Sequence, residues 1–177
     1  MATFAILIFW HLEIHAVSTQ KVNGNVMRLE ISTCPNDTFA FHALLNRLMV
    51  WRGLEFQIEL LDIQQLNNCL FKSQFDVGKT SFHAARLLSD NVFVLPSGSA
   101  FGFGVEPLLL AKRSGLQPTD KMQLSLRPGE HTTAKLLFDL FHPESTRVKH
   151  CVFSDIMPKL QAGQADFGVG IHEGRFT

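Results

Sequence analysis

The sequence is short of the features that would place it quickly. It has no basic block, since Lys+Arg and Asp+Glu number 16 each and the formal net charge is zero. Without such a block, neither a nucleic-acid backbone nor an anionic membrane surface attracts the chain. The apolar run Thr3–Trp10 is far too short to span a bilayer. Cysteine is scarce: Cys34, Cys69 and Cys151 stand far apart, no CxxC occurs, and no His/Cys pair has zinc spacing. That pattern predicts free thiols in a reducing compartment, hence a cytoplasmic protein with no metal site. GxSxG, HExxH, P-loop and GxGxxG motifs are also missing.

What is present is globular. The chain has 177 residues, 46% hydrophobic and 18% charged, which suits one ordinary domain or two small lobes. Folding at this size buries roughly two-thirds of the unfolded surface, so a real core is expected. With no electrostatic partner in view, the expected ligand is a small molecule.

Residues 1–26 lack the positively charged start of a signal peptide, although Ala16-Val17-Ser18 resembles a cleavage site. Met27 opens a better start, because MRLEIS has the pattern of a first strand. Residues 1–26 are therefore expected to be a leader or a misassigned start, outside the fold, with secretion as the alternative.

From Met27 onward strands and helices alternate. Arg28–Ser32 is a short strand. Asn36 or Asp37 is placed to N-cap a helix with Phe39, Phe41, Leu44, Leu45 and Leu48 at helical spacing, ended by Gly53. A strand over Phe56–Leu61, a helix over Ile63–Lys72, and extended segments Asp76–Ser81 and Val92–Leu95 follow. The glycine-rich SGSAFGFGVEP (97–107) leads into the apolar Leu108–Ala111. Gly115–Asp120 is polar and holds Pro118, which marks it as the crossing between a first lobe (27–114) and a second (115–177). Beyond it come a strand over Gln123–Leu126, a helix over Ala134–Phe141 and a strand over Val148–Phe153. A helix capped by Ser154 then runs to Gln161, and Asp166–Ile171 is the last strand. Such alternation predicts an α/β fold with largely parallel strands.

The chain also echoes itself. SQFDVGKTS (73–81) and GQADFGVGI (163–171) align without gaps, matching Asp76 with Asp166 and Gly78 with Gly168. Either the two lobes share a helix–turn–strand unit around a cleft, or short α/β units coincide at such turns.

Several residues could carry chemistry. CPNDT (34–38) and EHTTA (130–134) each place small or hydroxyl side chains where a helix leaves its first amides unpaired. A carboxylate could sit there, helped by Thr132 and Thr133, but plain capping explains the same residues. Lys79, Thr80 and Ser81 end a strand, where open α/β sheets bind ligands; a surface lysine followed by an N-cap is the bland alternative. His172 follows the last strand and suits general-base work, with Glu173 to orient it, although seven other histidines compete.

Together, STCPNDTFAFHALL (32–45), GKTSFHAA (78–85), SGSAFGFGVEPLLLA (97–111), PGEHTTAKLL (128–137) and GIHEGRFT (170–177) resemble the 1,4-dihydroxy-6-naphthoate synthase family, in that family's order. The related chorismate dehydratases lack the pairing of CPNDTF with HEGRFT. The resemblance implies a two-lobed α/β fold of the periplasmic-binding-protein type II kind, without metal or organic cofactor. It implies a lyase that splits cyclic dehypoxanthine futalosine into 1,4-dihydroxy-6-naphthoate and dihydroxyacetone, on the futalosine route to menaquinone. The family's base falls on His172, and its substrate contacts fall on Lys79, Thr80, Ser81, Thr133 and Ala134, with Asn36, Asp37, Thr132 and Glu173 in support. Family chains continue past the counterpart of Thr177 and return to the first lobe, so a truncated second lobe is expected. An inactive fragment, a chorismate dehydratase and a solute-binding protein are the alternatives.

Overall fold

A computed structural model describes residues 12–18, 26–49, 53–95, 98, 100–101, 107–142 and 146–170. The chain builds two sheets. In the first, β2 (Val26–Ser32) pairs in parallel with β3 (Glu55–Leu61), from Val26 opposite Glu55 to Ser32 opposite Leu61. On its other side β2 runs parallel to β4 (Val77–Ser81), with Leu29 opposite Val77. The buried pair Leu29 and Ile31, on a strand flanked by parallel neighbours, meets the helix-covered side of the sheet.

The helix α3 (Ile63–Phe71) connects β3 to β4. Asp62 accepts from Gln64 N, and Gln65 returns a bond to the Asp62 backbone, so the first turn is capped reciprocally. Its inward side buries Leu66 and Leu70, and Leu70 packs with Phe75 and Ala84 of α4 (Phe82–Leu87). Full burial of a side chain such as Phe75 is worth about 1.5–3 kcal/mol. Strands β5 (Val92–Val94) and β6 (Ala100–Phe101) complete this sheet beside β1 (Leu12–Ser18), giving the order β3-β2-β4-β1-β5 with β6 on β1.

The second sheet contains β7 (Leu108–Ala111), β8 (Leu124–Pro128), β9 (Arg147–Cys151) and β10 (Phe167–Gly170), in the order β7-β10-β8-β9. Helices α5 (Thr133–Phe141) and α6 (Ile156–Gln161) cover it through two small cores, Ala134–Phe138–Val169 and Leu126–Ile156–Ala165.

Four features differ from the sequence reading. Residues 12–18, set aside with the leader, form β1, antiparallel to both β4 and β5. LEIHAVS alternates in the manner of a half-buried strand. Leu108–Ala111, counted with the first lobe, pairs antiparallel with β10 in the second sheet, seven residues ahead of the crossing expected at 115. The first helix is two short ones, α1 (Pro35–Ala40) and α2 (His42–Leu45), broken at Phe41. Phe39 and Leu48, counted toward its apolar side, are 86% and 67% exposed, so no packing holds a longer helix together. Its N-cap is Cys34, without a side-chain bond, ahead of Pro35; Asp37 lies inside the first turn and Asn36 is exposed. Likewise Ser154 sits in a 3-10 turn (Phe153–Asp155), and α6 starts only at Ile156.

The internal echo is structural. Ser73 and Gly163 both hold positive φ, 52° and 69°, at the turn out of the helix. Asp76 N donates to Arg28 O and Asp76 Oδ2 accepts from Arg28 N; Asp166 repeats both bonds with Leu124, at 2.9 and 2.7 Å. Each aspartate thus ties the start of its strand to the start of a parallel neighbour. A Cβ on Gly78 would come within 2.6 Å of the Phe75 ring, and one on Gly168 within 2.6 Å of Ile156 Cγ2. In both lobes glycine is required by the side chain packed over the strand.

Candidate active site at the junction of the two lobes

The end of β4 carries three buried polar residues, Lys79, Thr80 and Ser81. Lys79 is wholly buried and Asp37 is 3% exposed, and the Lys79 ammonium pairs with Asp37 Oδ1. The other carboxylate oxygen, Oδ2, accepts from Ser32 N at 3.0 Å. Two charges out of water must be paired and hydrogen-bonded to persist. Lys79 therefore spends its charge inside the lobe, joining the end of β4 to the start of α1, rather than standing on the surface.

Thr80 and Ser81 are organised by Asn67, a fully buried residue of α3. Asn67 Oδ1 accepts from Thr80 Oγ1 (2.8 Å) and Ser81 N (3.0 Å), and lies 3.3 Å from Ser81 Oγ. Ser81 Oγ also caps α4, accepting from Ala84 N, and lies 2.6 Å from the His131 carbonyl, to which it donates. That last bond crosses between the lobes. Glu130 N donates to Gln64 Oε1 at 2.8 Å, and the His131 ring packs 4.7 Å from Phe71 and 6.0 Å from His83. The loop before α5 is thus docked on α3 and α4.

Thr132 is buried and caps α5 by accepting from Lys135 N. Ala134 is buried in the second lobe, while the Thr133 hydroxyl is buried without a hydrogen-bond partner among the described residues. Burial holds the His83 imidazole below its ordinary pKa, and its bond to the Thr132 backbone opposes this only in part. The neutral ring is the form present near pH 7.

The structure thus brings Lys79 to Asp37, and brings Thr80 and Ser81 to the loop that leads into Thr132, Thr133 and Ala134. Asn36 lies on the exposed side of α1, away from the Lys79–Asp37 pair's buried face. His172 and Glu173 lie outside the described residues, directly downstream of β10. Asn67 and His83 escaped the sequence reading. Asn67 had a usable signal, a polar residue beside Leu66 and Leu70 on the inward side of a helix, where only a bonded amide is tolerated.

Comparison with known proteins places this geometry. A family described as "Menaquinone biosynthesis" matches residues 27–177. The chain belongs to that family. A member from Thermus thermophilus named 1,4-dihydroxy-6-naphtoate synthase is 35% identical over 151 residues, covering 85% of this chain and 54% of its own. The chain therefore spans about half the length of that relative. A crystallised protein from Archaeoglobus fulgidus superposes with TM-score 0.76 at 29% identity, over 86% of this chain and 56% of that one. The alkanesulfonate-binding protein SsuA of Xanthomonas axonopodis, bound to MOPS, superposes with TM-score 0.61 at 13% identity, over 88% and 57%. This last likeness is one of fold. The chain thus has the two-lobed α/β architecture of solute-binding proteins, and polar residues of its two lobes meet at Ser81–His131 and Gln64–Glu130. Among the described residues no helix is long and apolar enough to cross a membrane, and no group of three or more His, Cys, Asp or Glu could hold a metal ion.

Proposed function

We propose that this chain carries the activity of a 1,4-dihydroxy-6-naphthoate synthase. In this reading it cleaves cyclic dehypoxanthine futalosine to 1,4-dihydroxy-6-naphthoate and dihydroxyacetone, a step toward menaquinone in the cytoplasm. The observation that carries the reading is the 35% identity to the Thermus thermophilus synthase, over a match that spans the five sequence segments around the site. The fold supports a small-molecule ligand held between lobes.

His172 is the proposed base. It withdraws a proton from the substrate carbon and so starts the carbon–carbon cleavage; a positioned base of this kind is worth about 10²–10⁴ in rate. Glu173 orients the imidazole. Ser81, Thr133 and Ala134 contact the substrate where the β4 end and the α5 loop meet. Lys79 and Thr80 act one layer behind, holding that strand end in place through Asp37 and Asn67, an assignment supported by their complete burial. The three free cysteines agree with a reducing compartment.

The test is to incubate the purified chain with cyclic dehypoxanthine futalosine and follow naphthoate formation by chromatography. Product from the parent, with none from His172→Ala at unchanged circular dichroism, supports the assignment. Substrate bound and returned intact would instead make the chain a carrier.

A further inference from the structure

Three buried polar atoms at the junction of the lobes have no hydrogen-bond partner among the described residues: Asn67 Nδ2, His83 Nδ1 and Thr133 Oγ1. Their residues belong to one connected patch. Asn67 bonds Ser81, Ser81 bonds the His131 carbonyl, and the His83 ring lies 6.0 Å from the His131 ring, two residues before Thr133. A buried amide or hydroxyl without a partner costs about 1–3 kcal/mol, and natural folds leave few of them. Asn67 is 0% exposed, so its free N–H cannot be solvated at the surface.

The chemistry of the set is specific. The contact between His83 and the Thr132 backbone favours the protonated ring, which makes the ring a donor to the carbonyl. Since Nδ1 has no partner, Nε2 carries that proton, and the neutral ring presents Nδ1 as a bare acceptor. Asn67 Nδ2 is a donor, and a threonine hydroxyl serves as either. The buried cation of the same strand end, Lys79, is paired with Asp37. One acceptor, one donor and one hydroxyl, with no net charge, match a group that both donates and accepts, such as a neutral vicinal polyol. They do not match a carboxylate, which would face the lone pair of Nδ1.

We propose that His83, with Asn67 and Thr133, forms a neutral subsite for the hydroxyl-bearing, sugar-derived portion of the ligand, with His83 Nδ1 accepting from a ligand hydroxyl. The proposal rests on the synthase reading for the identity of that ligand, and it makes His83 a determinant of which ring is bound. The aromatic carboxylate end must then be held elsewhere in the cleft.

The test compares two ligands. Cyclic dehypoxanthine futalosine carries the hydroxylated ring, whereas 1,4-dihydroxy-6-naphthoate lacks it. Dissociation constants are measured by calorimetry for the parent, His83→Phe and His83→Gln. We expect His83→Phe to weaken futalosine binding tenfold or more and to leave naphthoate binding within twofold. His83→Gln, whose carbonyl can still accept, should fall between. Equal affinity of parent and His83→Phe for the futalosine overturns the subsite, as does equal loss of both ligands, which marks a purely structural histidine. A parent that binds neither ligand sinks the synthase reading instead. The ¹⁵N resonance of His83 Nδ1 with ribitol as probe then decides the subsite alone: a shift toward a hydrogen-bonded acceptor retains it, and an unmoved signal overturns it.

Discussion

The buried pair of Lys79 and Asp37 yields the sharpest stability prediction. Lys79→Met keeps the length of the side chain and removes its charge, which leaves the Asp37 carboxylate, about 4% exposed, with Ser32 N as the one donor described here. Losing one partner of a buried pair costs about 3–5 kcal/mol. Asp37→Asn removes the carboxylate charge from beside the buried ammonium, for a similar cost. The double variant removes both charges, and its main remaining defect is the unpartnered amide nitrogen of the new side chain, at about 1–3 kcal/mol. The single costs together reach about 6–10 kcal/mol, so the coupling between the sites should be at least ~3 kcal/mol. Against a total stability of about 5–15 kcal/mol, either single variant should be visibly weakened in urea and the double largely recovered. The assay is urea unfolding of all four proteins at one salt concentration, checking that the slope with denaturant stays constant. Additivity within ~0.5 kcal/mol would refute the reasoning, because it would mean that the two charges are solvated separately.

Gly78→Ala and Gly168→Ala should each destabilise by about 1–3 kcal/mol in urea melts, since each new methyl would lie 2.6 Å from a packed side chain. Gly115→Ala meets no such neighbour, and its cost should come from its φ of 76° alone. Burial, with Glu30 beside it, pushes the Cys69 thiol up to about 11. At pH 8 only about one molecule in a thousand holds it as thiolate, so iodoacetamide should alkylate Cys69 far more slowly than an ordinary exposed thiol, as read by peptide mass spectrometry. Burial depresses His83, so the unfolded chain takes up its proton first as pH falls. Its contribution to stability is complete above about pH 6.5 and is lost as the pH drops through that value toward the lower folded one. Denaturation midpoints from pH 8 to 5 should show this slope in the parent and a shallower one in His83→Gln.

Much of the fold was legible because the signals were local. FQIELL, the Ile63–Leu66–Leu70 spacing and the Gly–Asp turns carry their structure in a few residues, and they appear within two positions of where the periodicity puts them. The repeat between 73–81 and 163–171 proved to be a matching pair of aspartate-to-backbone bonds, the shared-unit alternative of the two that the aligned Asp and Gly left open. What the sequence hid was pairing at a distance. Nothing in LEIHAVS says that it lies beside GKTS, and nothing in LLLA says that it joins FGVG, since both are antiparallel partners chosen by sheet assembly. For the site, the strand-end position of Lys79 was readable. Its partner was not, because Asp37 had an adequate local explanation as a cap.

The two copies of the repeated unit show where this fold separates scaffold from chemistry. Each has a left-handed turn residue, an aspartate that bonds the neighbouring strand, and a glycine under a packed side chain. After the glycine they diverge. The first copy continues with Lys79 and Thr80, both fully buried and both hydrogen-bonded; the second continues with Val169 and Gly170, and Val169 joins the apolar core with Ala134 and Phe138. The backbone demands are thus met equally in both lobes, while at these two positions only the first lobe buries polar side chains. A core optimised for stability alone would place apolar residues at both positions, as the second lobe does. The retained cost lies in the lobe whose strand end faces the α5 loop, where the proposed substrate contacts meet. On that argument, Lys79→Met paired with Asp37→Leu should give a chain at least as stable as the parent in urea and unable to bind cyclic dehypoxanthine futalosine. A double variant that kept full binding would show that the buried pair serves folding and not the ligand.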